Sequence, residues 1–232
     1  MKIGGLQKVT LVDYPGKIAC TVFLSGCNFK CPFCYSKELV LLEEIKKQPE
    51  IKKEKLFSFL KQRKGMIDAC VICGGEPTIN NDLKDFIKEI KELGFLVKID
   101  TNGYLPEKLK ELIDEKLIDY IAMDIKSCFK DYSKATGVDV DISKIKKSIE
   151  LIKNSGIDYE FRTTIVPGIH TKENIIEMAN DLGKAKKYFL QTFHNKKETI
   201  NPDFNKLKPF PEEELKEVIK EINSLFDICK IR

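Results

Sequence analysis

Three cysteines, Cys27, Cys31 and Cys34, share one short stretch with the spacing C-x3-C-x2-C, and no fourth cysteine follows nearby. Three thiolates on one loop can hold three corners of a cubane [4Fe–4S] cluster, whereas an electron-transfer ferredoxin normally supplies a fourth cysteine. One iron would then stay open to bind another molecule, which indicates an enzyme. A zinc site or a ferredoxin-like carrier is the alternative. Zinc normally takes four ligands, however, and the two histidines lie far away in the sequence.

Further groups of polar residues are suited to binding a small charged molecule. They are Gly74, Gly75 and Glu76; Asp100, Thr101, Asn102 and Gly103; Asp124 and Lys126; Arg162 and Thr164; and His194. Glycines let backbone groups approach a ligand closely, and a carboxylate can accept hydrogen bonds from an ammonium group. A buried arginine can donate two parallel hydrogen bonds to a carboxylate. Each group alone is common: a Gly-Gly-Glu can be an ordinary turn, and a lone histidine is more often structural or exposed.

Asp124 and Lys126 form one of these groups. They alternate with Ile125, so both side chains point to one face of a strand. They close an apolar run, residues 120–123, where burying an unpaired charge would be costly. The pattern therefore predicts either a binding site for a charged ligand or a structural ion pair at a strand end.

The elements that must position these residues alternate between strand-like and helix-like segments. The first strand, residues 18–25, is apolar on both faces, as a buried parallel strand is, and residues 67–73 form a second buried strand. We predict strands at 18–25, 67–73, 95–100, 118–125, 159–166 and 188–193, with a last short strand at 228–231. We predict helices at 36–45, 52–64, 81–93, 106–116, 143–154, 171–182 and 212–225.

Six strand–helix units in strict alternation predict an α/β fold with a parallel sheet and right-handed crossovers. Ligands bind such sheets at the carboxyl ends of the strands. The cysteine loop and the polar groups above all fall at or near those ends, which indicates one shared site. Whether the sheet stays open or curls into a partial barrel does not follow from the pattern alone.

Composition excludes several other classes of protein. The chain has 232 residues, 42% of them hydrophobic, which suits one globular domain. Its 40 basic and 36 acidic residues are interspersed, so we expect no nucleic-acid partner. No apolar run approaches the roughly 20 residues that span a bilayer, and no signal-peptide core is visible, so we expect a cytoplasmic protein without a membrane partner. Eight cysteines in that compartment favour metal or core roles over disulfides.

The remaining cysteines read as core residues. Cys70 and Cys73 form a C-x2-C, but positions three apart on a strand face opposite sides and cannot readily share a metal. Buried cysteine behaves as a small hydrophobe, which also suits Cys20, Cys128 and Cys229. Cys73 abuts the glycines and is the one that could touch the site.

The cysteine loop, with an aromatic residue before its third cysteine, resembles the hallmark of the radical S-adenosylmethionine (SAM) family. The resemblance implies a partial (βα)6 TIM-like barrel, a [4Fe–4S] cluster on Cys27, Cys31 and Cys34, and SAM bound to the open iron. It implies reductive cleavage of SAM to a 5′-deoxyadenosyl radical, and hence an oxidoreductase that works in an anaerobic setting.

The same resemblance implies roles for residues around the cluster. Phe33 would lie close to the adenine, and Tyr35 takes a position where many relatives carry histidine. Gly74, Gly75 and Glu76 would bind the methionyl amine. Asp100, Thr101 and Asn102, with Asp124 and Lys126, would hold the ribose and the carboxylate of SAM. Arg162 matches the relatives' R-x-x-[VI]-V-P-G pattern, and His194 matches a histidine near the adenosine.

Two outer segments, residues 5–17 and 201–210, resemble the anaerobic ribonucleoside-triphosphate reductase activating proteins. This implies one radical SAM domain over residues 1–232, with an N-terminal extension (1–17), a core (18–194) and a C-terminal loop and helix (195–232). It also implies a protein substrate, an anaerobic ribonucleotide reductase that receives a glycyl radical, and a low-potential electron donor such as ferredoxin or flavodoxin.

Two alternatives stay open at this point. The chain could be a radical SAM enzyme that acts on another glycyl radical enzyme, a peptide or a small molecule. It could instead be a non-catalytic Fe–S electron carrier, although a carrier should supply four cysteine ligands and has no need of the other polar groups.

Overall fold

A computed structural model of the chain describes residues 1–196 and 198–232. Its eight strands form one sheet in the order of the sequence, from β1 to β8. The strands are β1 (Ile3–Thr10), β2 (Ala19–Leu24), β3 (Ala69–Gly74), β4 (Leu96–Thr101), β5 (Tyr120–Asp124), β6 (Asp158–Ile165), β7 (Ala185–Thr192) and β8 (Phe226–Ile231).

The sheet is parallel from β2 to β8. Register pairs such as Thr21 with Val71 and Ile99 with Ile121 run evenly along it, and only β1 pairs antiparallel, with β2. The strands β1 and β8 are the two edges, so the sheet is open. The predicted α/β fold with a parallel sheet, a partial barrel of strand–helix units, is confirmed.

Helices connect the parallel strands and cover one face of the sheet. They are α1 (Lys37–Val40), α2 (Leu42–Lys47), α3 (Lys53–Arg63), α4 (Leu83–Glu92), α5 (Pro106–Asp114), α6 (Tyr132–Thr136), α7 (Ile142–Asn154), α8 (Lys172–Leu182) and α9 (Glu212–Ile222). In α4, Leu83, Phe86, Ile87 and Ile90 recur at the i, i+3, i+4, i+7 spacing of one helical face, and all four are buried. The main hydrophobic core lies between such faces and the sheet.

The predicted helix 36–45 is wrong, because the segment forms two short helices separated at Leu41, whose backbone is extended. The carbonyl of Leu39 accepts a hydrogen bond from the backbone N–H of Gly26 at 2.7 Å, so it bonds to the cysteine loop. A continuous helix would need that carbonyl for its own ladder.

Two elements were not predicted. Residues 3–10, read as part of an extension, form β1; Gly4 and Gly5 weaken the strand pattern there. A side chain at residue 4 would collide with Leu39 and Ser25, so the glycine lets β1 approach its neighbours closely. The five-residue helix α6 is too short to give a periodic signal.

Across the described parts of the chain, helices long and apolar enough to cross a membrane are absent.

Candidate active site

One cavity of about 190 Å³ opens at the carboxyl ends of β2 to β6. Every predicted site residue except His194 lines it. These residues are Cys27, Cys31, Phe33, Cys34, Tyr35, Gly74, Gly75, Glu76, Asp100, Thr101, Asn102, Asp124, Lys126 and Arg162. Five strands thus deliver polar groups to one place, as the parallel topology requires.

The cysteine loop follows β2 and is fixed by its own backbone and by a neighbouring turn. The backbone N–H of Phe29 donates to Cys27 Sγ at 3.4 Å, and the N–H of Cys34 donates to the Cys31 carbonyl at 3.0 Å. The N–H of Lys30 donates to the Thr136 carbonyl at 2.8 Å, which ties the loop to the end of α6.

Residues that follow β7 also contact the cysteine loop. The N–H of Ile200 donates to the Cys34 carbonyl at 3.0 Å, and the N–H of Asn201 donates to the Pro32 carbonyl at 2.8 Å. The rings of Phe33 and Phe204 lie 6.4 Å apart. Residues 200, 201 and 204 therefore hold the cysteine loop in place, a role that the sequence motif at 201–210 alone did not indicate.

Burial dominates the electrostatics of the three thiols. It raises the pKa of Cys27 to about 12 and that of Cys31 to about 11, and it also raises the pKa of Cys34. The ammonium group of Lys126 opposes this effect at all three, because a nearby positive charge favours the thiolate. Lys126 is thus placed to stabilise negative charge on this loop.

The donor set fits a multi-iron cluster better than a single ion. Over residues 1–196 and 198–232, no three His, Cys, Asp or Glu side chains converge so as to hold one metal ion. A cubane cluster bonds each thiolate to a different iron, so it needs thiols around a cavity rather than at one point. Cys27, Cys31 and Cys34 are arranged around this cavity.

The glycine pair at the end of β3 lets the cysteine loop pack against the next strand. Gly74 has φ +126°, and a Cβ atom there would collide with the backbone of Leu24. A Cβ atom on Gly75 would collide with the carbonyl of Gly26. The close approach that these glycines permit is between two backbone segments, in addition to any approach to a ligand.

Glu76 is fully buried and joins the ends of β3 and β4. Its Oε1 accepts hydrogen bonds from Thr78 N–H (3.0 Å), Thr78 Oγ1 (2.6 Å) and Thr101 Oγ1 (2.8 Å), and its Oε2 accepts one from Asn102 N–H (2.6 Å). Burial raises the pKa of this carboxyl, while these donors lower it. Because a carboxylate oxygen can accept two bonds, Oε2 has room for one further donor in the cavity.

A ladder of alternating charges crosses the wall of the cavity. Lys98, only 1% exposed, pairs with Asp100. Asp100 Oδ2 lies 3.1 Å from Arg162 Nη1, Arg162 Nε lies 2.9 Å from Asp124 Oδ1, and Asp124 Oδ2 lies 3.1 Å from Lys126 Nζ. Each charge is therefore paired, which offsets the cost of burying it.

The ladder fixes the charge state of its last pair. Burial alone would raise the pKa of Asp124, but Arg162 and Lys126 outweigh it and hold the pKa below its usual range. Burial would lower the pKa of Lys126, and Asp124 outweighs it, so the pKa is raised. The structural ion pair considered from the sequence is present, and the Lys126 ammonium group still faces the cavity.

His194 is the predicted site residue that lies apart from the others. Its side chain is exposed, and it does not line the cavity. Its backbone N–H donates to Tyr35 Oη at 2.6 Å, and the Tyr35 ring stacks on Phe193 at 5.6 Å. Tyr35 therefore links the cysteine loop to the end of β7 through the backbone at residue 194.

His170, which the sequence suggested was an ordinary loop residue, is buried behind the site. Its Nδ1 accepts a hydrogen bond from Val166 N–H, and its Nε2 lies 2.9 Å from the Lys126 carbonyl. With Nδ1 accepting, the neutral ring carries its proton on Nε2 and donates it to that carbonyl. Burial lowers the pKa of His170 to about 4. The imidazole thus holds the backbone of Lys126 against the turn after β6.

Three other cavity residues were not predicted near the site: Phe29, Ser36 and Val40. Cys73, which the sequence indicated could touch the site, lines the cavity. Thr164, which the sequence placed near the site, also lines it. Cys70 and Cys73 do face opposite sides of β3, since Cys70 packs in the main core and Cys73 reaches the cavity.

Comparison with known proteins identifies related chains. The family model described as "Radical SAM superfamily" matches residues 21–182. A protein of Methanocaldococcus jannaschii, named as a candidate glycyl-radical enzyme activating enzyme, is 37% identical over 238 residues, covering 99% of this chain and 95% of the relative.

Two solved structures share the fold. The structure of Streptococcus suis SuiB bound to S-adenosylmethionine superposes with a TM-score of 0.65 at 19% identity, and the match covers 90% of this chain and 51% of SuiB. This chain thus spans about half the length of SuiB. A domain of pyruvate-formate lyase-activating enzyme from Bacteroides vulgatus superposes with a TM-score of 0.56 at 20% identity, covering 71% of this chain and 99% of that domain.

Proposed function

The chain belongs to the radical SAM superfamily, and from this premise we propose that it activates a glycyl radical enzyme, with an anaerobic ribonucleoside-triphosphate reductase as its substrate. The observation that carries the proposal is the set of three thiols on one loop, which has no fourth cysteine of its own, around a cavity that Lys126 and Glu76 also line. The similarity to the Methanocaldococcus jannaschii protein along 99% of this chain supports the choice of a glycyl radical enzyme as substrate.

In this proposal Cys27, Cys31 and Cys34 hold a [4Fe–4S] cluster, and SAM occupies the cavity beside it. When bound, the cluster and SAM supply reductive cleavage of the SAM sulfonium to a carbon radical that can abstract a hydrogen atom. An external low-potential donor, such as ferredoxin or flavodoxin, provides the electron.

The residues of the chain supply binding, orientation and charge. Lys126 brings positive charge to the three thiols, and Asp124 with Arg162 fixes where that charge lies. The free position on Glu76 Oε2 suits an ammonium donor. Burial of these groups keeps water away and strengthens each charge interaction.

A backbone glycine suits this chemistry as the target. Glycine has no side chain to crowd the approach to its Cα hydrogen. A protein substrate also needs no closed small-molecule pocket of its own in the activating chain, since the substrate brings its own fold.

The test is anaerobic reconstitution with iron and sulfide, followed by SAM, a reductant and the anaerobic ribonucleotide reductase from the same genome. We expect an electron paramagnetic resonance signal of a glycyl radical on the reductase, and deoxyadenosine as co-product. Replacing the target glycine of the reductase with alanine should remove the signal while SAM binding persists. Modification of a peptide or small molecule, with no glycyl radical on the reductase, would favour the alternative substrate classes.

A further inference from the structure

Glu160 is a buried carboxylate beside the candidate active site that the proposed function does not use. It lies on β6, two residues before Arg162, so the two side chains point to the same face of the sheet. Glu160 is only 1% exposed, and it does not line the active-site cavity. An unpaired charge inside a protein is costly, so this carboxylate needs partners of its own.

Arg232 is the main partner of Glu160. Its Nη1 lies 2.9 Å from Glu160 Oε1 and its Nη2 lies 3.1 Å from Oε2, so the guanidinium bonds both oxygens at once. Such a bidentate pair is strong and fixes the orientation of both groups. Tyr120 Oη donates a third hydrogen bond, to Glu160 Oε2 at 3.0 Å. Burial, together with the charge of Glu160, raises the pKa of Tyr120, which keeps this hydroxyl protonated as a donor.

Arg232 is itself held in place by β7. It directly follows β8, and its backbone N–H donates to the Leu190 carbonyl at 2.9 Å. The Thr192 N–H donates to the backbone oxygen of Arg232 at 3.0 Å. The Arg232 Cζ atom lies 3.4 Å from the centre of the Phe189 ring. The backbone bonds and the ring together fix where the guanidinium lies.

Arg162 has three carboxylates around it and hydrogen-bonds two of them. Its Nη1 lies 3.1 Å from Asp100 Oδ2, and its Nε lies 2.9 Å from Asp124 Oδ1. Its Nη1 is 3.8 Å from Glu160 Oε1, which is too long for a hydrogen bond. In the described part of the chain, Arg162 and Arg232 are the cations within 4 Å of Glu160. Without Arg232, the charge of Glu160 would therefore draw on Arg162.

The partners of Arg162 matter for the active site. Asp124 lines the cavity, and its Oδ2 lies 3.1 Å from Lys126 Nζ. Opposite charges a few ångströms apart inside a protein attract strongly, so the position of Arg162 depends on which carboxylates remain unpaired. A shift of Arg162 toward Glu160 would loosen its bond to Asp124 and so displace the Asp124–Lys126 pair at the cavity wall.

On the basis of the proposed function, in which SAM occupies that cavity, we propose that Arg232 is a positioning residue for SAM binding. By bonding both oxygens of Glu160, it keeps Arg162 on Asp124 and Lys126 in its place. Arg232 does not line the cavity, so its effect on SAM acts through Glu160 and Arg162.

The test uses variants that separate the charge of Arg232 from that of Glu160. Arg232→Met removes the cation, Glu160→Gln removes the anion, and the double variant removes both. Arg232→Lys keeps a positive charge but cannot bond both oxygens in the same geometry, and it serves the same comparison if Arg232→Met does not fold. Arg63→Met is the matched control, because Arg63 also lies over an aromatic ring, that of Phe59, but on α3 and away from the cavity lining.

The first measurement is calorimetric titration of the anaerobically reconstituted enzyme with SAM. We expect Arg232→Met to bind SAM about three- to tenfold more weakly, and Arg232→Lys to lose less. Glu160→Gln, the double variant and Arg63→Met should stay within about twofold of the unsubstituted enzyme, because none of them leaves a buried carboxylate unpaired. A pair with a purely structural role would give the same loss when either partner is changed. That result, no recovery in the double variant, or unchanged affinity in Arg232→Met would overturn the proposal.

The second measurement follows Arg162 directly and needs no SAM. The chain has three arginines, at positions 63, 162 and 232, so labelling with ¹⁵N-arginine gives three Nε–H signals in nuclear magnetic resonance. Arg63→Met and Arg232→Met each delete one signal and thereby assign the third to Arg162. In the full chain before iron and sulfide are added, the Arg162 signal should move in Arg232→Met and return in the double variant.

An Arg162 signal that stays in place in Arg232→Met would overturn the proposal. Failure of the proposed function is distinguishable, because the unsubstituted enzyme would then bind no SAM, while the Arg162 signal would still report whether Arg232 controls the position of Arg162.

Discussion

Two groups of cysteines in this chain have the same side chain and opposite surroundings. Cys27, Cys31 and Cys34 lie on a loop beyond the end of β2 and line a cavity. Cys20 and Cys70 lie side by side within β2 and β3, fully buried in the main core. A cysteine inside a strand has its neighbours fixed by the sheet, whereas one beyond the strand end faces open space.

The same contrast separates charged residues by their position along a strand. Asp124 ends β5 and lines the cavity, where Arg162 and Lys126 contact it. Asp158 begins β6 and forms an exposed pair with Lys187 on the opposite end of the sheet. Position along a parallel strand therefore indicates chemistry better than residue type does.

The largest effect should come from the loop cysteines. Changing Cys27, Cys31 or Cys34 to alanine should abolish SAM cleavage and lower the iron content, because an iron loses its anchor. Changing Cys70 to alanine should leave cleavage intact and cost about 1 kcal/mol of stability through lost packing. Iron analysis, deoxyadenosine release and thermal unfolding measure the three quantities. If Cys70→Ala lost as much SAM cleavage as the loop variants, the two groups of cysteines would not differ in function.

A smaller effect, on SAM affinity, should distinguish Asp124 from Asp158. In Asp124→Asn the charge that holds Arg162 and Lys126 is lost, so SAM affinity should fall about ten- to a hundredfold, which corresponds to roughly 1.5–3 kcal/mol for a hydrogen bond to a charged group. Iron content should stay near normal. Asp158→Asn, the control at the opposite sheet end, should bind SAM normally, and a titration showing similar losses in both variants would contradict the site.

Much of this arrangement was predictable because strand and motif signals coincide. The parallel strands β2, β3 and β5 are largely apolar runs, so they are visible in the sequence. The polar groups at the carboxyl ends of β2 to β6 then meet at one edge of the sheet by topology alone. The cysteine spacing, Glu76, Asp124 and Lys126 could therefore be assigned to one cavity without coordinates.

What the sequence left hidden depends on contacts between distant segments. The strand β1 contains Gly4 and Gly5 and has no clear alternation, so its pairing with β2 has no local signal. The break at Leu41 arises from the bond between Leu39 and Gly26. The burial of His170 depends on how the turn after β6 packs against Lys126, and one histidine in a loop gives no sign of that.

Changing His170 should have an effect of intermediate size on SAM affinity, because its side chain contacts the candidate site only through the backbone carbonyl of Lys126. In His170→Leu that carbonyl loses its donor, Lys126 becomes less well placed, and SAM affinity should fall about three- to tenfold, equivalent to roughly 1 kcal/mol for one hydrogen bond. His170→Gln can keep both bonds and should recover most of the affinity. A purely structural role would lower thermal stability in His170→Leu without changing SAM affinity in the folded protein.

The same residue gives a pH dependence with a defined sign. The pKa of His170 is about 4 in the fold, below its ordinary value of 6.5, so the folded state favours the neutral ring. Its contribution to stability is complete above pH 6.5 and is lost as the pH falls toward 4. Between pH 7 and pH 5 the loss should be about 2 kcal/mol. The difference in unfolding free energy between the unsubstituted protein and His170→Gln isolates this effect, and an identical pH slope in both would contradict it.

The smallest expected effect concerns His194, the predicted site residue that the fold places outside the cavity. Its ring is exposed, and only its backbone N–H contacts the site, through Tyr35 Oη. His194→Ala keeps that N–H, so SAM affinity should change less than about twofold, below the roughly 1 kcal/mol of a typical hydrogen bond. Tyr35→Phe removes the acceptor and should weaken SAM binding more. A larger loss in His194→Ala than in Tyr35→Phe would mean that the imidazole contacts bound SAM near the adenosine, as the family resemblance implied.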